Sequence, residues 1–106
     1  MAEEDIVVIG AKKEGNYLYV TVQAPSQEDA VSPAARKIAY NERDKHGFSS
    51  AGIEAFGGTV PVDLTEKDEE GAVGKPLTVS DLKEMTSDDH RQRIGYRSVY
   101  RLMRGI

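Results

Sequence analysis

The sequence predicts a small single α+β domain spanning residues 1–106, and three observations carry that expectation. The N-terminal region alternates at period two around a polar turn, as a β-hairpin does. A Ser-Pro pair near the middle opens a helical stretch. Near the C-terminus an apolar stripe at helical spacing runs beside a row of arginines.

The hairpin is the clearest element. Ile6-Val7-Val8-Ile9 is β-branched, and in Tyr17-Leu18-Tyr19-Val20-Thr21-Val22 the residues Leu18, Val20 and Val22 point one way while Tyr17, Tyr19 and Thr21 point the other. Lys12-Lys13-Glu14-Gly15-Asn16 between them is polar, with Gly and Asn suited to a turn. Tyr17 and Tyr19 form an amphipathic face, a secondary candidate surface for a partner.

Pro25 closes the second strand, because proline cannot donate to a ladder. Ser32 is the expected N-cap and Pro33 the first helical residue; Ala34, Ala35, Ile38, Ala39 and Tyr40 give a narrow apolar stripe, and Gly47 ends the helix. Residues 48–76 read as a long irregular loop that wraps the body or lies along a partner, with one edge strand near Thr59–Leu64 that Pro61 confines to an edge. Thr78 followed by Asp81, or Ser80 followed by Lys83-Glu84, starts a short turn holding Leu82 and Met85. Thr86 or Ser87 then caps a last helix over 87–104, opened by Asp88 and Asp89 against the positive end of its dipole and weakened in the middle by Gly95.

Charge is divided unevenly. The net charge is −4, yet residues 1–90 hold all 18 acidic groups and 9 of the 14 Lys/Arg, while 91–106 hold the other 5 and no acid. Such a split suits an acidic partner for the basic segment. On the expected last helix Tyr96, Tyr100 and Met103 share a face, and Arg93, Arg97, Arg101 and Arg104 run along its neighbour, so these seven residues are the candidate partner-binding set. The competing arrangement folds the tyrosines onto the hairpin and the arginines onto the chain's own acids.

Several chemistries are disfavoured. The absence of cysteine excludes disulfides, thiolate catalysis and cysteine-ligated metals. Gly71-Ala72-Val73-Gly74-Lys75 fails as a phosphate loop, because Glu69 stands at the first glycine position and Pro76 where a Ser/Thr must bind magnesium. His46 and His90 are far apart, and Asp88-Asp89-His90 reads as an acidic cap before a metal site. No catalytic residue, metal ligand or cofactor is assigned. The acidic N-terminus is unlike a signal peptide, and no apolar run is long enough to cross a bilayer, which points to a cytoplasmic chain, or a virion one if viral, without a membrane partner.

The expected function is non-enzymatic: a small accessory or structural subunit within a larger protein assembly or homo-oligomer, for example a virion cement or connector component. Two other classes stand beside it. One is a small nucleic-acid-associated regulator using the four arginines, which an acidic pI of about 5.2 disfavours. The other is a small enzyme centred on His46 or His90.

Overall fold

The computed structural model describes residues 5–105. The acidic stretch before Asp5 and the last residue, Ile106, lie outside the described residues. The α+β expectation is overturned: the molecule is mostly strand, a curled antiparallel half-barrel of six strands with short helices.

Strands β1 (Val7–Glu14) and β2 (Tyr17–Ala24) form the expected hairpin, longer than the sequence suggested. Lys12, Lys13 and Glu14 belong to the strand, and the turn shrinks to Gly15 and Asn16. Gly15 has φ +60 and among the described residues no non-glycine residue has positive φ, the pattern of a type II′ turn with glycine first. Ser26 caps the single-turn helix α1 (Gln27–Ala30), and Ser32 caps α2 (Pro33–Asn41), with Pro33 at its start. A 3-10 turn, Glu42–His46, continues α2 and ends at Gly47 in the left-handed conformation.

The segment expected to be an irregular loop contains three strands: β3 (Ser50–Ala55), β4 (Val60–Lys67) and β5 (Val73–Pro76). Pro61 does not place β4 at an edge; β4 lies between β5 and the final strand. The proline stands where the β4–β5 pairing runs out, one residue beyond the Val62–Pro76 pair and with its carbonyl accepting from Leu77 N at 3.0 Å, so a missing amide there disrupts little. Two short helices follow, α3 (Val79–Glu84), with a complete Thr78/Asp81 capping box, and α4 (Asp88–Gln92), capped by Ser87.

The largest correction is at the C-terminus. The helix expected over 87–104 stops at Gln92, and Ile94–Arg104 is an eleven-residue strand, β6. Ile94, Tyr96, Val99 and Tyr100 are strand formers and Gly95 is a poor helix residue, so once a sheet offers both neighbouring edges, pairing outweighs one exposed helix.

β6 is the axis of the sheet. Along one side it pairs with the whole of β2, from Tyr17 opposite Met103 to Ala24 opposite Tyr96. Along the other side β3 covers its second half and β4 its first. Ala55 opposes Tyr100 and Val60 opposes Arg97, so the four residues from Phe56 to Thr59 face only Ser98 and Val99. β3 and β4 are thus one strand broken by a wide bulge, which Gly57 permits with φ +79.

Helices α1 and α2 pack on one face. Leu18, Val20 and Val22 of β2, Tyr100 and Leu102 of β6, and Ala30, Ala35 and Ala39 of the helices form one buried cluster. The alanines let the helices lie close to the sheet. Tyr100 Oη donates to Ala30 O at 2.8 Å, satisfying a polar group that burial would otherwise penalise. That same burial pushes the phenol above its ordinary pKa.

Candidate functional site

The alternation of β2 and β6 that fills the core sends the other side chains to the opposite face, where neither α1 nor α2 packs. Register places Tyr17 beside Met103, Tyr19 beside Arg101, Thr21 beside Val99 and Gln23 beside Arg97. This face has two ends with different characters.

At one end the β4–β5 hairpin folds over the sheet and is clasped by Arg97. Its guanidinium donates through Nε to Gln23 Oε1 at 3.0 Å, through Nη1 to Asp68 Oδ2 at 3.2 Å, and through Nη2 to Gly74 O at 2.7 Å. Gln23 Nε2 donates to Val73 O at 2.7 Å, so two β5 carbonyls are held by side chains of β2 and β6. Asp68 Oδ1 accepts the amides of Glu70 and Ala72. The Ala72 amide first, then Glu70 and Arg97, hold the Asp68 carboxyl below its ordinary pKa despite partial burial. The hollow beside this clasp is rimmed by Lys67, Glu69, Glu70 and Lys75, a mixture of signs.

At the other end lies an aromatic patch built around Arg101. Its Cζ stands 4.6 Å from the Tyr17 ring centre and 5.0 Å from that of Phe56. Tyr19 and Phe56 meet edge-on at 5.1 Å, and Tyr17 and Tyr19 are 6.1 Å apart. Arg101 Nε donates to Glu54 Oε2 at 2.6 Å, and Nη2 donates to the same oxygen. Glu54, with a second contribution from Tyr19, holds the guanidinium above its ordinary pKa. The bulge after β3 projects Phe56 onto this patch, where it remains 44 % exposed.

The seven candidate partner-binding residues separate in the structure. Arg97, Arg101 and Met103 lie on the face opposite α1 and α2, Arg97 beneath the β4–β5 hairpin. Arg93 caps α4 and pairs with Asp63. Tyr96 packs partly buried against the core, and Tyr100 is inside it, so the predicted tyrosine docking face points inward. Arg104 lies on the other parity of β6, with Cζ 4.9 Å from the Phe48 ring centre. Arg93, Arg97 and Arg101 each meet an acid of their own chain: Asp63, Asp68 and Glu54. Tyr17 and Tyr19 do share the uncovered face. Sequence reasoning missed Phe56, Glu54 and Gln23; the Gly57-Gly58 pair after Phe56 was the one usable signal of a bulge.

The histidines form no shared site. His46 Nε2 contacts Glu42 Oε2 at 3.2 Å, while His90 Nδ1 and Arg93 Nε are buried without partners. Neither the hollow beside Arg97 nor the apolar one beside Val7 and Val73 is lined by histidine. Among the described residues no group of three or more His, Cys, Asp or Glu could hold a metal ion, and no helix is long and apolar enough to cross a membrane.

No protein-family model, curated protein or solved structure matches the chain, so its candidate site rests on this geometry alone: a neutralised arginine within three aromatic rings on an uncovered sheet face.

Proposed function

We propose that the chain is a non-enzymatic accessory subunit that joins a larger protein assembly by docking a protein partner on the Tyr17–Tyr19–Phe56–Arg101 patch. The observation that carries this reading is the composition and neutrality of the patch. Tyrosine and arginine are the residue types that concentrate binding energy in protein interfaces. Here they are pre-positioned on a sheet, so little side-chain freedom remains to be lost on docking. A virion cement or connector component is one kind of assembly in which such a subunit serves.

Charge favours protein over nucleic acid. Binding to a phosphate backbone draws on cations that release counterions. Arg93, Arg97 and Arg101 are already neutralised by Asp63, Asp68 and Glu54, which leaves Arg104 as the one member of the arginine row without an acid partner among the described residues.

The test is the mass of the native species containing this chain, isolated from its own source. The expected result is a species well above 11.6 kDa that a Tyr19→Ser/Phe56→Ser variant fails to enter while keeping its circular dichroism spectrum. Either a free monomer or undiminished assembly of the variant overturns the reading. Salt-sensitive retention on a phosphate-bearing resin, lost on Arg101→Gln/Arg104→Gln, would overturn it in favour of nucleic acid.

A further inference from the structure

Arg93, Arg97 and Arg101 each meet an acid of their own chain, whereas among the described residues Arg36, Arg43 and Arg104 form no ion pair. These three gather along one border of the sheet, the side of β3 that has no strand partner. Arg36 Nη1 donates to Ile53 O at 3.4 Å and Tyr40 Oη to Ser50 O at 3.3 Å, which ties α2 along that border. Arg36, Tyr40 and Arg43 are spaced i, i+4, i+7, one face of α2 and of the 3-10 turn that continues it. Arg104 arrives from β6, opposite Ser50.

Each of the three guanidiniums is set over an aromatic ring. Arg43 Cζ stands 4.0 Å from the centre of Tyr40, Arg104 4.9 Å from Phe48 and Arg36 5.6 Å from Tyr100. The Phe48 amide donates to Arg43 O at 2.9 Å, so the ring under Arg104 is tied to the backbone of Arg43. Arg36 and Arg43 each give one nitrogen to a carbonyl of the chain. Stacking orients a guanidinium and leaves its remaining in-plane donors facing outward, a fork that fits a carboxylate. Of the two acids in the 3-10 turn, Glu42 is held by Lys45 and His46, and Asp44 forms no ion pair among the described residues.

We propose that the Arg36–Arg43–Arg104 border of β3 binds a carboxylate-rich segment of a partner protein. Charge complementarity carries the choice of occupant: three oriented cations without acids lie on a chain whose other arginine trio is already matched. Arg36 and Arg43 are about 10 Å apart along the helix axis at about 1.5 Å per residue, which an extended segment spans in about three residues. A short run of Asp and Glu therefore reaches both. Single-stranded nucleic acid fits less well, because it also needs open aromatic platforms for its bases. Here the rings of Tyr40, Phe48 and Tyr100 lie under guanidiniums, and Phe48 and Tyr100 are buried. Arg104 and Arg101 lie on opposite parities of β6, so this border is separate from the aromatic patch and the two proposals fail independently.

Fluorescence anisotropy of the full chain with short labelled peptides tests the proposal. A Glu-rich peptide binds at low salt, a Gln-rich peptide of the same length does not, and added salt weakens the complex. Arg36→Gln/Arg43→Gln/Arg104→Gln lowers the affinity by roughly tenfold or more, whereas Lys67→Gln/Lys83→Gln/Arg91→Gln, which removes the same charge elsewhere, changes it less than roughly twofold. The three single arginine substitutions, each gentler on the fold, lower it in the same direction. Tyr19→Ser/Phe56→Ser binds the peptide like the wild type. No binding of the Glu-rich peptide at low salt overturns the proposal, as does an equal loss from the two triple variants. Tighter binding of an oligonucleotide of matched charge, lost in the arginine variant, overturns it in favour of nucleic acid.

Discussion

Asp63 presents one carboxylate oxygen to Arg93 Nη2 at 2.6 Å and the other to the amide and hydroxyl of Thr65, so a side chain only 4 % exposed has donors on both sides. Burial alone would raise its pKa. The Arg93 and Thr65 hydrogen bonds together outweigh that and bring it from 3.8 to about 2.

The depressed carboxyl makes stability depend on acid in a definite direction. The contribution is complete above 3.8, the unfolded value, and is lost as pH falls through about 2, the folded one. Arg93 is 39 % exposed, so solvent screens the pair and the contribution is about 1–2 kcal/mol. In urea titrations Asp63→Asn is expected to be less stable than the wild type at pH 7, with the gap closing between those two values. A gap that stays constant down to pH 2 would show that the ion pair is not its source.

Arg97 is expected to act on one hairpin and not on the whole sheet. Arg97→Met frees the carbonyl of Gly74 and leaves Asp68 without its guanidinium, while β1–β2 pairing is untouched. Amide exchange is the measurement: protection falls across Asp68–Pro76 and persists in Tyr17–Ala24. Uniform loss over both regions would contradict the clasp.

Two glycines separate packing from backbone effects. A Cβ on Gly95 would stand 2.7 Å from Leu64 Cδ2 and 2.9 Å from both Cδ1 and Cγ, whereas a Cβ on Gly10 meets nothing within 4 Å. Gly95→Ala is expected to cost about 1–3 kcal/mol in chemical denaturation, as overpacking does. Gly10→Ala is expected to stay close to the wild type.

The buried phenol of Tyr100 provides a third energetic test. Tyr100→Phe preserves the ring and strands the Ala30 carbonyl, at an expected cost of about 1–2 kcal/mol. Loss of helical signal without loss of sheet would locate the effect at α1, where the bond ends.

Much of the local structure was legible because local chemistry decides it. The hairpin alternation, the Ser32-Pro33 start and the Thr78/Asp81 capping box are all present as the residues dictate. β6 was not legible, because a spacing of four keeps residues on one face in a strand and nearly so in a helix. Arg93, Arg97 and Arg101, like Tyr96 and Tyr100, therefore satisfy both periods. Between Ser50 and Pro76, prolines and paired glycines mask strands whose pairing depends on β6, far along the chain. Tyr17 and Tyr19 could be assigned to one face from β2 alone, but Glu54 and Phe56 join them only through β6.

The position of β6 sets the order in which the molecule can be made. It is central in space and follows every one of its partners in sequence. A nascent chain that has reached α4 can hold the β1–β2 and β4–β5 hairpins, but nothing yet bridges them, and α1 and α2 rest on half a floor. Contacts of such long sequence separation are slow to form, because the intervening chain must first be closed into a loop. Until residues 94–104 arrive, β2, β3 and β4 each present a raw edge that the finished protein hides. The exposure of those three edges therefore belongs to the interval of synthesis, and it ends when a single strand is laid in place.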